Sequence, residues 1–245
     1  MHSVLLVGAG KIGKTIAHLL SRYEEDYNLL VIDNDPKQLD ALRGLPVTTN
    51  VVDIEDTELL CGYTRNQQAV ISALNYHHTW RVANAARDCG ASYFDLTEDI
   101  YATHDIRQLG TDTAARQIMM PQCGLAPGFI SIAAHDLAQR FDELHSLRLR
   151  VGALPKFPTN RLNYNLTWST NGLINEYCNK CEVIRDGHPI DVQALTGIEH
   201  FSLDGVRYEA FNTSGGLGSL CFTLHEKVRD LDYKTIRYPG HRDYM

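Results

Sequence analysis

Short apolar runs alternate with helical patterns through the first half of the chain. Continuous apolar residues fill positions 4–7 and 29–32, and further runs lie at 46–52, 69–74, 92–96 and 117–122. Runs of this kind are typical of strands buried on both faces of a parallel sheet. Between them apolar residues recur at helical spacing, and in 79–89 we predict that Trp80, Val82, Ala83 and Ala86 share one face. The pattern predicts an α/β domain with about six parallel strands and helices on both faces.

The pattern changes near residue 125. A loop rich in glycine and proline precedes a predicted helix at 130–141 and predicted strands at 147–154 and 162–169. Asp186-Gly187 and Asp204-Gly205 each lie between alternating segments, which predicts two hairpin turns. The sequence therefore predicts two domains, 1–125 and 126–245, the second of α+β type with a mainly antiparallel sheet. Because few helices are predicted to cover that sheet, we expect that a partner subunit covers it or that the chain is a shortened version of a longer protein.

A glycine motif follows the first predicted strand directly. Gly8 permits a tight turn, Gly10 permits backbone to approach a pyrophosphate, and Gly13 permits a helix to pack closely on the strand. Lys11 and Ile12 complete the motif, and Asp33 ends the second apolar run twenty residues after Gly13. This arrangement predicts a Rossmann-like dinucleotide-binding domain, with Asp33 accepting hydrogen bonds from the adenosine ribose. A carboxylate repels a 2′-phosphate, so NAD is favoured, and nearby Lys37 leaves NADP possible.

Composition and charge narrow the class of protein. The net charge of −7 weighs against nucleic acid as the main partner, and no apolar stretch approaches the length that spans a bilayer. The first strand begins so close to Met1 that we expect no signal peptide, a cytoplasmic location and reduced cysteines. Cys178 and Cys181 form a CxxC motif without a second ligand pair, so we expect ordinary thiols and no metal site.

Ligands of an open parallel sheet collect beyond the carboxyl ends of the strands, so candidate residues are sought in those loops. The cofactor is expected to contact Asp53, near the adenine, although this residue suits helix capping equally well. Other predicted cofactor contacts are Ala73, Leu74, Pro127 and Gly128. His77 and Asp95 are the candidate catalytic residues, with Glu98 also eligible as the general base. Either a substrate amine or a helix N-terminus explains the polar run at 95–98.

The remaining candidates are predicted to contact the substrate. They comprise polar, aromatic and small residues at strand ends: Asn75, Tyr76, Thr97, Cys123, Gly124, Asn163, Trp168 and Asn171. Residues 213–216 (TSGG) are another candidate, because small residues with exposed N–H groups make a nest for a carboxylate, although they suit a flexible turn as well.

Four segments together resemble the saccharopine dehydrogenase family, which includes the bacterial lysine 6-dehydrogenases. They are the motif from Gly8 to Gly13, the loop from Gly124 to Gly128, the YNLTWS and GLINEY segments at 164–169 and 172–177, and the TSGG segment. The resemblance runs through essentially the whole chain. It implies cofactor roles for Gly8, Gly10, Gly13 and Asp33, and substrate roles for the loops at 75–76, 95–97, 123–124 and 163–171.

The resemblance also implies a reaction. Hydride moves between a nicotinamide and a carbon bonded to the nitrogen of a lysine-derived amino acid, as in the saccharopine dehydrogenase reaction. Lysine 6-dehydrogenase is the close alternative, and a nucleotide-binding protein without catalysis is the alternative from another class. A homodimer with an amino-acid substrate is expected. Family members usually continue past the position of His241, so we expect an incomplete second domain.

Overall fold

The computed structural model describes residues 1–111 and 117–245, which divide into two compact units, Met1–Cys123 and Gly124–Met245. The first unit is a parallel six-stranded sheet in the order β3-β2-β1-β4-β5-β6. Its strands are β1 (His2–Val7), β2 (Tyr27–Asp33), β3 (Thr48–Val51), β4 (Ala69–Ser72), β5 (Ser92–Asp95) and β6 (Met119–Met120). Its helices are α1 (Lys11–Leu20), α2 (Pro36–Asp40), α3 (Thr57–Thr64), α4 (Tyr76–Asp88) and α5 (Ile100–Thr111). The predicted Rossmann-like architecture is confirmed.

The central strand β1 is buried on both faces. Leu5 and Val7 belong to one hydrophobic cluster, whereas Val4 and Leu6 belong to another. Successive side chains of a strand point to opposite faces, so two apolar layers cover this strand. This explains why the sequence reads as a continuous apolar run.

The predicted face of α4 was wrong at one position. Val82, Ala83 and Ala86 are fully buried, but Trp80 is 49% exposed. The buried stripe includes Thr79, and Trp80 is rotated by about 100° from it because a helix turns by that angle per residue. Trp80 therefore lies at the edge of the buried stripe and not within it.

The second unit contains a mainly antiparallel six-stranded sheet, as predicted. The strands are β7 (Leu144–Val151), β8 (Cys181–Arg185), β9 (His188–Val192), β10 (Glu199–Leu203), β11 (Val206–Asn212) and β12 (Val228–Arg237). The strand order is β10-β11-β12-β8-β9, and β7 is the exception because it pairs with β12 in parallel. The helices are α6 (Phe129–Ala138), α7 (Thr170–Cys178) and α8 (Leu220–Leu224).

Both predicted hairpin turns are present. Asp186 and Gly187 have φ of 47° and 81°, and Asp204 and Gly205 have φ of 51° and 78°. Two consecutive left-handed residues define the turn that matches the twist of a two-residue hairpin. These turns join β8 to β9 and β10 to β11.

The predicted strand at 162–169 was wrong, because this segment pairs with no strand of residues 1–111 or 117–245 and Asn163 has a φ of 50°. Tyr164 is buried, and Leu162, Leu166 and Trp168 pack against the cluster that it forms with Tyr177 and Phe211. The alternating apolar residues therefore face a core, as they would in a strand, although the segment forms no backbone hydrogen bonds with a neighbouring strand. The predicted helix at 130–141 begins one residue earlier and ends three residues earlier, as α6, and the predicted strand at 147–154 lies three residues further toward the N-terminus, as β7.

One face of this sheet carries a network of ion pairs. Arg150 Nη1 lies 2.6 Å from Asp232 Oδ1, and Arg150 Nη2 lies 2.7 Å from Glu199 Oε1. Lys234 Nζ lies 2.6 Å from the same Glu199 oxygen. Burial alone raises the pKa of Glu199, but hydrogen bonds from Arg150 and Lys234 outweigh it and lower the pKa to about 2. These ion pairs connect the strands β7, β10 and β12.

Candidate functional site

The glycine loop between β1 and α1 has the geometry of a pyrophosphate cradle. Gly8 has a φ of 99°, a conformation that side chains rarely adopt. A Cβ on Gly13 would lie 1.9 Å from Gly8 O, so only glycine permits this approach of helix to strand. Gly10 is the N-cap of α1, no side chain caps the helix, and a Cβ at Gly10 would meet open space. Backbone N–H groups of the first turn of α1 thus meet this open space, where the helix dipole favours an anion.

Asp33 holds this loop in place. Its Oδ2 accepts a hydrogen bond from Ala9 N at 2.6 Å, and its Oδ1 accepts one from Asp35 N at 2.8 Å. The parallel pairing of Val7 with Ile32 brings the end of β2 beside the glycine loop. The sequence predicted a ribose contact for Asp33 but not its hydrogen bond to the glycine loop, which depends on the pairing of β1 with β2.

A cavity of about 230 Å³ opens beside the glycine loop. Its lining residues come from the ends of β1 to β4, the loops after them and the first turn of α4: Val7, Gly8, Ile32, Asp33, Asn34, Val52, Asp53, Ile54, Glu55, Leu74 and His78. Three of them are carboxylates and none is a lysine or arginine. Such a lining suits the hydroxyl and amino groups of an adenosine and disfavours an additional phosphate.

Asp53 lines the cavity, and its Oδ1 accepts a hydrogen bond from Glu55 N at 2.9 Å in a turn; the alternative role of helix capping was wrong, because the N-cap of α3 is Asp56. Ala73 and Leu74 lie directly against the glycine loop, where a Cβ on Gly8 would lie 2.8 Å from Leu74 Cδ2 and 3.2 Å from Ala73 O. Lys37 is not among the lining residues of the cavity. Lys11 and Ile12 begin α1, in the turn that follows Gly10.

The start of α4 carries the next candidates. Asn75 caps the helix, and its Oδ1 accepts a hydrogen bond from His77 N at 3.2 Å. The rings of Tyr76 and His77 lie 4.0 Å apart. His78 lines the cavity beside the glycine loop, whereas His77, the candidate catalytic residue, is not among the lining residues. Burial raises the pKa of Tyr76, and the charges of Asp99 and Glu98 raise it further, which places this tyrosine near the loop after β5.

Asp95, at the end of β5, is a buried clamp. Tyr93 Oη donates to its Oδ2 at 2.9 Å, while Thr97 N and Gln122 N donate to its Oδ1 at 3.0 and 3.1 Å. Burial raises the pKa of Asp95, although these hydrogen bonds oppose the shift. Asp95 O accepts a hydrogen bond from Cys123 N at 2.7 Å, so the residue fixes the backbone at both loops.

Glu98 differs from Asp95 because one of its oxygens has no partner. Glu98 is 8% exposed, and its Oε1 is buried without a hydrogen bond to any residue that the structure describes. Burial raises the pKa of Glu98, a hydrogen bond from its own backbone N–H opposes the shift, and the charges of Asp99 and Asp95 raise the pKa further. A carboxylate that is buried and unsatisfied at the end of a parallel strand is the group most suited to proton transfer here.

The candidates of the second unit lie in three places. Gly124 and Gly128 bracket a turn in which Gly124 O accepts a hydrogen bond from Phe129 N at 2.9 Å, and Pro127 lies within it. Asn163 and Trp168 belong to the loop that replaces the predicted strand. Asn171 is exposed in the first turn of α7.

The TSGG segment follows β11. Thr213 is 2% exposed, and its hydroxyl has no hydrogen-bond partner among the described residues of the chain. Gly216 packs on Tyr233, whose ring carbon would lie 2.3 Å from a Cβ at this position. The segment is thus a closely packed turn in which Ser214 N already donates to Glu176 O at 3.0 Å, so the exposed N–H groups expected of a carboxylate nest are not seen at this residue.

The CxxC cysteines lie at the end of α7 and the start of β8, and both are free thiols. Over residues 1–111 and 117–245, no group of three or more His, Cys, Asp and Glu side chains is arranged to hold a metal ion. Within the same ranges, every helix is too short or too polar to cross a membrane.

Two family models match the chain. The model of the saccharopine dehydrogenase NADP binding domain matches residues 4–120, and that of the saccharopine dehydrogenase C-terminal domain matches residues 124–245.

The chain is also similar to solved structures. With apo histidine-tagged saccharopine dehydrogenase (L-Glu forming) from Saccharomyces cerevisiae it shares 20% identity and a TM-score of 0.77, over 100% of this chain and 57% of that chain. The chain therefore spans little more than half the length of the yeast enzyme. A weaker likeness, with 18% identity and a TM-score of 0.48, is found with apo scyllo-inositol dehydrogenase from Lactobacillus casei, over 62% of this chain and 46% of that chain.

The two family models meet at the division between the compact units, and each matches nearly the whole of one unit. The yeast structure has the same fold across the full chain. The chain belongs to the saccharopine dehydrogenase family.

Proposed function

We propose that this protein is an NAD(P)-dependent oxidoreductase that acts on a C–N bond of a lysine-derived amino acid, as saccharopine dehydrogenase does. The observation that carries the proposal is the glycine loop, which Asp33 holds beside a cavity lined by acidic side chains, in a chain of this family. The nicotinamide, when bound, supplies the hydride acceptor. The absence of lysine and arginine from the lining favours NAD over NADP.

Glu98 acts as the general base in this proposal, in place of the earlier candidates His77 and Asp95. An amine must lose a proton before its carbon gives up hydride, and the imine that forms must then be hydrolysed by water. The unpartnered Oε1 of Glu98 can take a proton in either step. Asp95 instead positions the loops, because both of its oxygens already accept hydrogen bonds.

We assign substrate contacts within each unit separately, to one group of residues at the ends of β4 and β5 and to a second group in the second unit. Asn75, Tyr76, Thr97 and Cys123 belong to the first group. Gly124, Asn163, Trp168 and Asn171 belong to the second. With these residues the proposal covers contacts to the amino-acid substrate as well as contacts to the cofactor.

A cytoplasmic homodimer belongs to the same proposal. Phe129 and Ile132 lie one turn apart on α6 and are 63% and 70% exposed. Neighbouring exposed apolar side chains are typical of protein interfaces. Sedimentation velocity of the full chain tests the dimer, and cell fractionation tests the location.

The function is tested by absorbance at 340 nm with NAD or NADP, offering saccharopine and lysine separately. Reduction with saccharopine supports the proposal, and reduction with lysine alone would assign the protein to the lysine 6-dehydrogenases instead. NADH binding without reduction of cofactor by either substrate would indicate a nucleotide-binding protein without this activity.

The base is tested by Glu98→Gln. We expect kcat to fall by about 10²–10⁴-fold, the usual contribution of a general base, while NADH affinity is unchanged. Glu58→Gln, at an acidic residue of the first turn of α3, is the matched control and should retain wild-type kcat. Full activity of Glu98→Gln would remove Glu98 from the mechanism.

A further inference from the structure

A buried relay of hydrogen bonds surrounds His241 in the second unit. His241 is 2% exposed, its Nδ1 lies 2.8 Å from Leu162 O, and its Nε2 lies 3.1 Å from Tyr177 Oη. Arg237 Nε donates to the same Tyr177 oxygen at 3.0 Å. The relay therefore joins the end of β12, α7 and the loop at 160–168.

The partners fix the protonation state of the ring. A carbonyl oxygen only accepts hydrogen bonds, so Nδ1 must carry the hydrogen that faces Leu162 O. In the neutral ring Nε2 is then an acceptor, and Tyr177 Oη donates to it. The oxygen of Tyr177 is left to accept from Arg237, so every group of the relay is satisfied when His241 is neutral.

The relay holds the loop at a second point through Arg237. The guanidinium lies 4.3 Å from the centroid of the Tyr164 ring, and Tyr164 Oη accepts a hydrogen bond from Trp168 Nε1 at 3.0 Å. The backbone before Asn163 and the side chains on either side of it are thereby tied to one histidine. No regular secondary structure supports this segment, and besides these contacts it is held by the side chain of Asn160, which hydrogen-bonds Tyr164 O at 2.8 Å and Tyr164 N at 3.3 Å.

Protonation of His241 disturbs the relay. An added proton on Nε2 faces the hydrogen of Tyr177 Oη and places a positive charge beside Arg237. Burial and the charge of Arg237 lower the pKa of His241, while the hydrogen bond to Leu162 O and the charge of Glu209 oppose the shift. The contribution of the neutral ring is complete above the unfolded pKa of about 6.5 and is lost as pH falls below that value.

We propose that His241 is a positioning residue, whose neutral ring fixes the loop carrying Asn163 and Trp168 in the conformation that binds the amino-acid substrate. The part of this inference that concerns substrate rests on the proposed function. The part that concerns the loop does not, because the relay is a property of the second unit alone.

The loop is tested by tryptophan fluorescence. The chain has two tryptophans, so Trp80→Phe leaves Trp168 as the sole reporter. We expect a red shift of its emission with a midpoint below pH 6.5, as Trp168 loses its bond to Tyr164. The shift should be absent when His241→Asn or His241→Gln is added, because neither amide titrates, and far-UV circular dichroism verifies that each variant is folded. His200→Gln, at an exposed histidine of β10, should retain the shift.

Two fluorescence results would overturn the proposal. One is the same transition in the His241→Asn and His241→Gln variants, and the other is no transition in the Trp80→Phe parent down to acid unfolding. Tyr177→Phe is a second probe, because it removes the acceptor of Arg237 and keeps the aromatic packing. It should give the red-shifted emission already at neutral pH, and unchanged emission would contradict the relay.

Steady-state kinetics then test the link to substrate. His241→Gln should raise KM for the amino acid about tenfold, the fold-change of one lost hydrogen bond to a charged or strongly polar group, with NADH affinity unchanged. An unchanged KM alongside a normal fluorescence result would refute the substrate role alone. If the wild type oxidises no amino acid, the proposed function fails, and the fluorescence result still decides the role of His241 in the loop.

Discussion

The sharpest prediction concerns Asp33→Ala. This substitution removes the acceptor of Ala9 N, whose residue is fully buried, and also the acceptor of Asp35 N. A buried N–H group left without an acceptor costs about 1–3 kcal/mol. The first expected result is therefore a lower free energy of unfolding of about that size, measured by urea denaturation.

The second expected result is a change of cofactor preference. A carboxylate contributes about 1.5–3 kcal/mol for a hydrogen bond that it accepts, so NADH loses that much with the ribose contact. Two unit charges about 5 Å apart at an effective dielectric of about 20 repel by about 3 kcal/mol, which NADPH escapes in the variant. Both effects act in the same direction, so the ratio of the NADPH Kd to the NADH Kd should fall by at least about 100-fold.

Fluorescence titration of each reduced cofactor measures both dissociation constants without a substrate. The loosened glycine loop weakens both cofactors alike, so only the ratio reports on the ribose. Asp56→Ala is the control, because Asp56 also accepts a backbone hydrogen bond, from Leu59 N at 2.9 Å, but does not line the cavity. Equal losses of NADH and NADPH affinity in Asp33→Ala would refute the assignment of Asp33 to the ribose.

Three further substitutions have defined outcomes. Gly13→Ala should abolish NADH binding and lower Tm, because its Cβ would meet Gly8 O at 1.9 Å, whereas Gly62→Ala in open space should raise Tm slightly. Asp95→Asn keeps the size and shape of the side chain that positions the two loops, so NADH affinity and kcat should each stay within about tenfold of wild type. A fall in kcat of about 10²–10⁴-fold would instead identify Asp95 as the general base. Glu199→Gln should lower Tm at neutral pH, because it removes the charge that Arg150 and Lys234 contact. These cations lower the pKa of Glu199, so the variant should lose less stability than the wild type as pH falls from 4.5 to about 2. An unaltered dependence of Tm on pH would contradict that network.

Much of the fold can be predicted from the sequence, because the spacing of apolar residues reflects which positions are buried. The six strands of the first unit and both hairpin turns follow from local patterns of one or two residue types. The segment at 162–169 shows the limit of such reasoning. Its alternation is produced by packing against Tyr177 and Phe211, and a sequence does not tell whether an extended segment has a neighbouring ladder.

The site divides in the same way. The glycine motif by itself specified the loop, because Gly8 and Gly13 are required by backbone sterics that any such turn imposes. The family also followed from motifs alone, and the match of both family models confirmed it.

Only the tertiary structure distinguished groups that look alike in sequence. Asp95 and Glu98 are acids three positions apart, yet one is saturated with donors and the other keeps a buried oxygen without a partner. The same holds for His241, whose contacts with Leu162 and Tyr177 join residues more than sixty positions apart. Hydrogen-bond partners and desolvation depend on which chain segments meet, and that is decided by packing rather than by local sequence.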